Sequence, residues 1–303
     1  FRVDAVKHVP DAVVFNLRAR VAERFEAAGT PYFLMGATAM GWAGSSGPDA
    51  GGNPENYGTI ARYIGEDALD GQFDFVLYYA ASLQFLQDTP SRGMAHIDFW
   101  THASLDRFGD AIMTPYLGSH DTSRWISMQS DPGRAGNQWD NFPAAPTTDE
   151  PYDRMYVALG WLFSLPGAPL LYYGDEYGQP GGADPDNRRF MRFGDALDPR
   201  ERTQLTRVSA LGRARASLPG LRSRSYRTLF VDETVSVVAR GVGDEVVLAV
   251  INRGAGASRT VTVSRDVAAG GTVFQDALGG SRATVTGGAV DLVLPARSVG
   301  YYA

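Results

Sequence analysis

The chain has 303 residues, 44% hydrophobic and 20% charged, a balance that supports a large buried core rather than a disordered or fibrous chain. Its net charge of −6 offers no basic face to phosphates, which argues against nucleic acid as a partner, and no apolar run approaches the roughly 20 residues of a membrane span. With no cysteine, disulfides, zinc–thiolate centres and thiol nucleophiles are excluded, while the compartment stays open.

The first predicted element is a strand, Phe1–Val6, that opens the chain without an initiator Met or a capping turn. Such a start suggests a piece of a longer protein, with any targeting peptide outside it. Next, Val14, Leu17, Val21 and Phe25 recur at spacings of three and four within Val13–Ala28, one face of a helix. Further strand-like runs follow at Tyr32–Met35, Phe73–Tyr78, Ile112–Leu117 and Pro169–Tyr173. Helices are expected at Tyr79–Leu86, His96–Phe108, Tyr152–Leu165 and Arg200–Ala216. Alternation of this kind reads as βα repeats and fits part of a (β/α)8 barrel, strands 4 to 8, better than a complete doubly wound sheet. Two long stretches, Gly41–Gly58 and Ser127–Glu150, read as loops bordering a pocket at the C-terminal ends of the strands.

The character changes at Pro219. From there to Ala303 the chain is rich in Val, Thr and Gly, with alternating runs at Thr234–Ala239, Glu245–Ile251, Thr260–Ser264 and Val290–Leu294. The turn spacing is that of a small antiparallel β-sandwich. The expected division is therefore 1–218 for the barrel part and 219–303 for an all-β domain, which carries no catalytic constellation and serves as structural support or accessory sugar contact.

Polar clusters sit at the ends of several predicted strands. Arg2 and Asp4 fall on one alternate face of Phe1–Val6. In a barrel that face points inward, where an Arg–Asp pair is either a structural ion pair or part of a site. The fourth apolar run ends Gly118-Ser119-His120-Asp121-Thr122-Ser123-Arg124, and the last continues into Gly174-Asp175-Glu176 and Asp184-Pro185-Asp186-Asn187-Arg188-Arg189. One His-Asp pair would be weak evidence. Several clusters in order, each at the C-terminal end of a barrel strand, mark the face where this fold carries its chemistry.

These segments resemble the α-amylase family of glycoside hydrolases. FRVDAVKH resembles its nucleophile motif, GSHDTSR its later His-Asp motif with Ser119 where Asn is usual, and LPGAPLLYYGDEYGQPGG with DPDNRR its eighth-strand segment. The likeness spans about the first 200 residues, and the all-β part resembles the family's C-terminal domain; the motif of the third strand would precede Phe1. The resemblance implies that Asp4 is the nucleophile, kept ionised by Arg2, and that His120 and Asp121 grip the sugar at the cleavage point, with Asp121 stabilising the transition state. It also implies an aglycone-side role for Lys7 and His8 and sugar contacts further out for Asp184 and Arg188. Trp42, Tyr172 and Tyr173 are either stacking surfaces for sugar rings or ordinary core and loop packing. The implied partners are an α-glucan or maltooligosaccharide and the remaining part of the barrel. No cofactor is required, although the family often holds calcium near a backbone carbonyl at the position of His8. A secreted or periplasmic setting is favoured.

One position departs from the pattern. The fifth-strand motif of the family ends in Gly-Glu, and that Glu is the general acid/base; here the pair is Gly36-Ala37. A retaining glycosidase needs two carboxyl groups about 5 Å apart, one to attack and one to protonate the departing oxygen. Glu55 and Glu66 are the downstream candidates, and neither stands at a strand end. Ala37 therefore points to a catalytically impaired retaining enzyme that still binds glucan. A Glu→Ala change in an active parent is favoured, because Arg2, Asp4, His120, Asp121, Asp184 and Arg188 are all in place. The alternatives are a transglycosylase of the same family and a natural non-catalytic binding or scaffold homologue.

Overall fold

The computed structural model describes all residues, 1–303. The first strand, β1 (Arg2–Val3), lies parallel to β2 (Met35–Gly36), which in turn lies parallel to β3 (Gly71–Gln72). The register pairs Arg2 with Met35 and Met35 with Gly71. Single parallel bridges, Phe73 to Thr114 and Tyr116 to Leu170, extend the ladder across two more segments in chain order. Five consecutive segments therefore run the same way, with helices between them, as right-handed βα connections require. β1 and the Leu170 segment each have one ladder partner, so the sheet carries two open edges.

The paired segments are shorter than the apolar runs that announce them. Phe1–Val6 stops pairing at Val3, because Ala5 adopts a left-handed φ of 48° and turns the chain into the single 3-10 turn Val6–His8. A larger correction concerns Phe73–Tyr78. Only Phe73 belongs to the ladder; from Phe75 the chain is helical (α3, Phe75–Ala80). The switch is made by Asp74, whose Oδ1 accepts from the Leu77 amide at 3.0 Å, and by Val76, Leu77 and Ala80, which share a buried helical face. The expected helix Tyr79–Leu86 is correspondingly displaced into the end of α3 and a 3-10 turn, Ser82–Leu86.

The stretch Gly41–Gly58 is only partly loop. Asn53 is fully buried; its side chain accepts from the Ala43 amide at 2.8 Å and donates to the carbonyls of Gly44 and Gly47. It gathers the glycine-rich chain and starts helix α2 (Asn53–Ala61), with Pro54 in the first turn where a missing N–H costs nothing. Glu55 is thus helical. Likewise, Ser127–Glu150 contains most of α5 (Trp125–Ser130) and all of α6 (Pro132–Ala135) before it becomes irregular. The other helices are α1 (Asp11–Val21, prolonged by a wider turn to Glu26), α4 (Met94–Phe108), α7 (Glu150–Ser164) and α8 (Pro199–Ser217). α8 opens with a capping box in which Asp198 and Glu201 satisfy each other's backbone amides. No helix is long and apolar enough to cross a membrane.

The last third is an antiparallel sandwich. One layer is β4 (Tyr226–Val231), β5 (Val235–Arg240), β6 (Val247–Asn252) and β11 (Ser298–Tyr302), ordered β11-β6-β5-β4. The other holds two pairs, β7 (Ala257–Thr262) with β10 (Ala289–Leu294) and β8 (Val273–Gln275) with β9 (Arg282–Thr284). Val237, Leu248 and Val250 from the first layer share a core with Val261, Phe274 and Leu292 from the second.

The other face of the first layer is buried against the helices: Ala249, Ile251, Val299 and Tyr301 belong to the same core as Trp100 of α4 and Trp161 of α7. Gly160 is required where α7 meets β11, since a Cβ there would lie 2.3 Å from a Val299 methyl. The turn between β4 and β5 also caps α4. The amides of Met94 and Ala95 donate to the carbonyls of Glu233 and Asp232, each at 2.9 Å. Asp88, Glu150, Arg154 and Arg297 form an ion cluster across the same seam.

Burial raises the Asp74 carboxyl to about 6, although Ser104 and the Leu77 amide both donate to it. The folded state then holds a proton that the unfolded chain has released, so this group's contribution to stability is full below pH 4 and is lost as pH rises through 6. Asp74→Asn keeps the helix cap and removes the titration. Its stability should vary less between pH 4 and 7 than that of the parent, by at most about 3 kcal/mol, as measured by denaturant unfolding across that range.

Candidate active site

Both ends of the polar site are set by where strands stop. Asp4 is the first residue past β1, at the C-terminal end of the ladder. Its Oδ1 accepts from Arg2 at 3.0 Å and from the Ala5 amide at 2.9 Å. The left-handed Ala5 follows directly, so a backbone strain of about 1–3 kcal/mol is held against the carboxylate. The Arg2 guanidinium lies 5.3 Å over the Phe73 ring and 3.5 Å from His120 Nε2. Beside them, His120 Nε2 is 3.2 Å from Asp121 Oδ1. Arg188 is 3.7 Å from Asp121, 2.9 Å from Asp184, and donates to the His120 carbonyl at 3.1 Å.

Six of the expected site residues, Asp4, Arg2, His120, Asp121, Arg188 and Asp184, therefore form one continuous chain of polar contacts along the rim. Asp4 and Asp121 are 66% and 63% exposed, so both carboxylates face solvent and an incoming ligand. Lys7 and His8 are not part of it. Lys7 Nζ turns to the Ala39 carbonyl at 2.6 Å, and His8, at the end of the 3-10 turn, makes no side-chain hydrogen bond.

Ala37 stands immediately past β2, on the strand next to Asp4. Its amide donates to the Val3 carbonyl at 2.9 Å and its carbonyl accepts from Val6 at 3.2 Å, so its backbone brackets the Asp4 turn. The methyl group is buried with Phe73, Tyr78 and Tyr116, the two tyrosines stacked at 4.5 Å. Glu66 lies before β3, at the opposite end of the ladder, and Glu55, one turn into α2, hydrogen-bonds to no site residue.

Among curated proteins, the chain is 26% identical over 301 residues to a β/α-amylase of Paenibacillus polymyxa, covering 98% of this chain and 21% of that one. It is 25% identical over 279 residues to a cyclomaltodextrin glucanotransferase of Bacillus licheniformis, covering 92% of this chain and 33% of that one. A solved structure of an Anoxybacillus α-amylase superposes with a TM-score of 0.75 at 25% identity, over 99% of this chain and 57% of that one. The chain thus spans about a fifth to a third of these curated relatives and rather more than half of that structure. No family model matches. Over nearly its whole length the chain is thus similar to enzymes of the amylase and cyclomaltodextrin glucanotransferase type.

Three residues that hold the site together were not singled out from sequence, although all lie inside the quoted motifs. Arg124 and Asp175 form an ion pair at 3.2 Å, both almost fully buried. The Arg124 guanidinium also lies 4.1 and 4.5 Å over the rings of Tyr172 and Tyr173, and donates to the Asn187 carbonyl at 2.7 Å. Tyr173 is thereby committed to Arg124 and, through its hydroxyl, to the Arg189 carbonyl; Trp42 packs edge-on against Trp100 and His96. Buried Asn187 donates to the carbonyls of His120 and Thr122, both at 2.8 Å. The loop bearing His120 and Asp121 is thus fastened to the segment bearing Asp184 and Arg188. The signal available beforehand was the charge and amide content of GSHDTSR and DPDNRR, whose partners are distant in sequence.

Calcium, which the resemblance allows, finds no side-chain cage in this chain. No three His, Asp or Glu side chains converge on a common point, and the acidic groups of the rim are held by arginines or by His120.

Burial pushes the Asp175 carboxyl up to about 7, against the pull of Arg124. Removing it strands a buried guanidinium, which costs about 3–5 kcal/mol. Asp175→Ala should therefore lower the unfolding free energy by that amount in denaturant melts. Asn187→Ala, which frees the two loop carbonyls, should speed amide exchange across Ser119–Ser123, as measured by hydrogen–deuterium exchange, with a smaller loss of stability.

Proposed function

We propose that this chain carries the catalytic face of a retaining α-glucan glycosidase of the amylase type, in a form whose acid/base position holds alanine. The observation that carries the reading is the continuous rim from Asp4 through Arg2, His120 and Asp121 to Arg188 and Asp184, with Ala37 beside Asp4 on the next strand. Asp4 attacks the anomeric carbon; Arg2 keeps it ionised and aims it. His120 and Asp121 hold sugar hydroxyls at the reacting ring, and Asp121 opposes the positive charge that develops there. Arg188 and Asp184 extend the grip to the next sugar, and Lys7 and His8 border the departing side. Strands pairing the open edges at β1 and at the Leu170 segment complete the working barrel.

The surroundings of position 37 support its assignment as the acid site. A Glu there would emerge among Phe73, Tyr78 and Tyr116, and an apolar, aromatic environment raises a carboxyl pKa towards neutrality, as a proton donor needs. With alanine, the bond to the leaving sugar would have to break as an unprotonated alkoxide while Asp4 attacks, so the step is slowed by the missing proton. A second reading, a glucan-binding protein without chemistry, rests on the same residue.

Product analysis on maltooligosaccharides separates the two. In the intact protein, Ala37→Glu should raise the cleavage rate by about 10²–10⁴, the contribution of a general acid. If the Glu variant binds glucan and cleaves it no faster, the catalytic reading fails and the binding one stands.

A further inference from the structure

We propose that a second ligand site, for a small amine with an apolar body, lies behind the sheet between α4 and the segment Ile112–Pro115. A cavity of about 580 Å3 is enclosed there, within the range of small-molecule sites. It is distinct from the rim. Phe73 and Asp74 are consecutive residues at the end of a strand and face opposite sides of the sheet. Phe73 joins Ala37 and Tyr116 beneath the rim, whereas Asp74 turns to Ser104 of α4 and lines the cavity. The strand segments behind the cavity are the third and fourth of the five, so it is not a gap left at an open edge.

The walls are apolar, formed by Leu77, Phe108, Met113 and Leu165. Among them Asp74 is 2% exposed. Its carboxyl accepts from the Ser104 hydroxyl and the Leu77 amide, and no lysine, arginine or histidine pairs with it. Burial raises it to about 6, so at pH 7.5 it is an anion in an apolar enclosure without a counter-charge. Such a charge is costly, and a cation brought in by a ligand offsets the cost.

The mouth does not oppose a cation. Two arginines and two aspartates share it: Arg224 is bound to Asp110 at 3.3 Å and to the Gly109 carbonyl at 2.6 Å, and Arg222 and Asp106 balance in charge. The charge at the buried end therefore decides. An ammonium carries donors only, which suits the acceptor capacity left on Asp74, and a ring-sized body covers the apolar walls.

The site does not depend on the glucan reading, and its test is independent of it. Calorimetry at pH 7.5 on the intact protein compares 2-phenylethylamine with 2-phenylethanol, its neutral analogue, and 3-phenylpropionate, an anion. The amine should bind at least tenfold tighter than the alcohol, and the anion should not bind. Asp74→Asn, which keeps the helix cap, should reduce the amine's affinity to that of the alcohol. Ile112→Trp, at a 42% exposed lining position, should weaken both ligands at least tenfold without touching Asp74. Equal binding of amine and alcohol, or no binding of the amine, overturns the proposal. So does an amine affinity that survives either substitution; if Asp74→Asn fails to fold, Ile112→Trp still locates the site and the amine–alcohol comparison still reads its charge.

Discussion

The parallel ladder is the constraint from which the site follows. Because the five segments run the same way, the residues that leave each of them emerge on one rim: Asp4 after β1, Ala37 after β2, His120 and Asp121 beyond Tyr116, and Asp184 and Arg188 beyond Leu170. Residues far apart in sequence meet there without any being placed on a long, independently folded loop. The ladder itself is thin, two residue pairs at two of its joints and single bridges at the other two, and much of its rigidity comes from the helices packed outside it.

A second level of order is electrostatic. The rim is a line of charged and polar groups open to water, where a single ion pair contributes little to stability. What fixes it is the buried layer beneath. Arg124, in contact with Asp175, two tyrosine rings and the Asn187 carbonyl, ties the loop after Tyr116 to the segment after Leu170, and Asn187 fastens the carbonyls at His120 and Thr122. An exposed functional set on a buried polar foundation lets ligand reach the carboxylates while their spacing stays fixed.

Much of this was legible in the sequence because the signals were local. The helical face of α1, the alternation of β5, β6 and β10 and the break near Pro219 are patterns of neighbouring residues, and the motif-bearing segments could be read off in order. The misreadings came where a single polar side chain overrides an apolar pattern. FDFVLYY looks like a strand, but Asp74 caps a helix within it; the glycine-rich stretch after Gly41 looks like loop, but Asn53 gathers it and starts α2. Arg124 and Asn187 were visible as residues yet not as a foundation, since their partners lie about 50 to 65 positions away. Lys7 and His8 show the reverse case: a motif position gives residue type but not the direction of a side chain, and Lys7 points to Ala39.

The turn that caps α4 changes what the sandwich is. Glu233 and Asp232 supply carbonyl acceptors to the Met94 and Ala95 amides, and β6 and β11 finish the core that α4 and α7 begin. A module attached in this way is not a pendant that evolution can trade for another binding domain while the rest stays intact. Its exchange would expose the outer face of two helices and the first donors of one of them. The β domain and the helices it packs against are therefore bound to diverge as one unit.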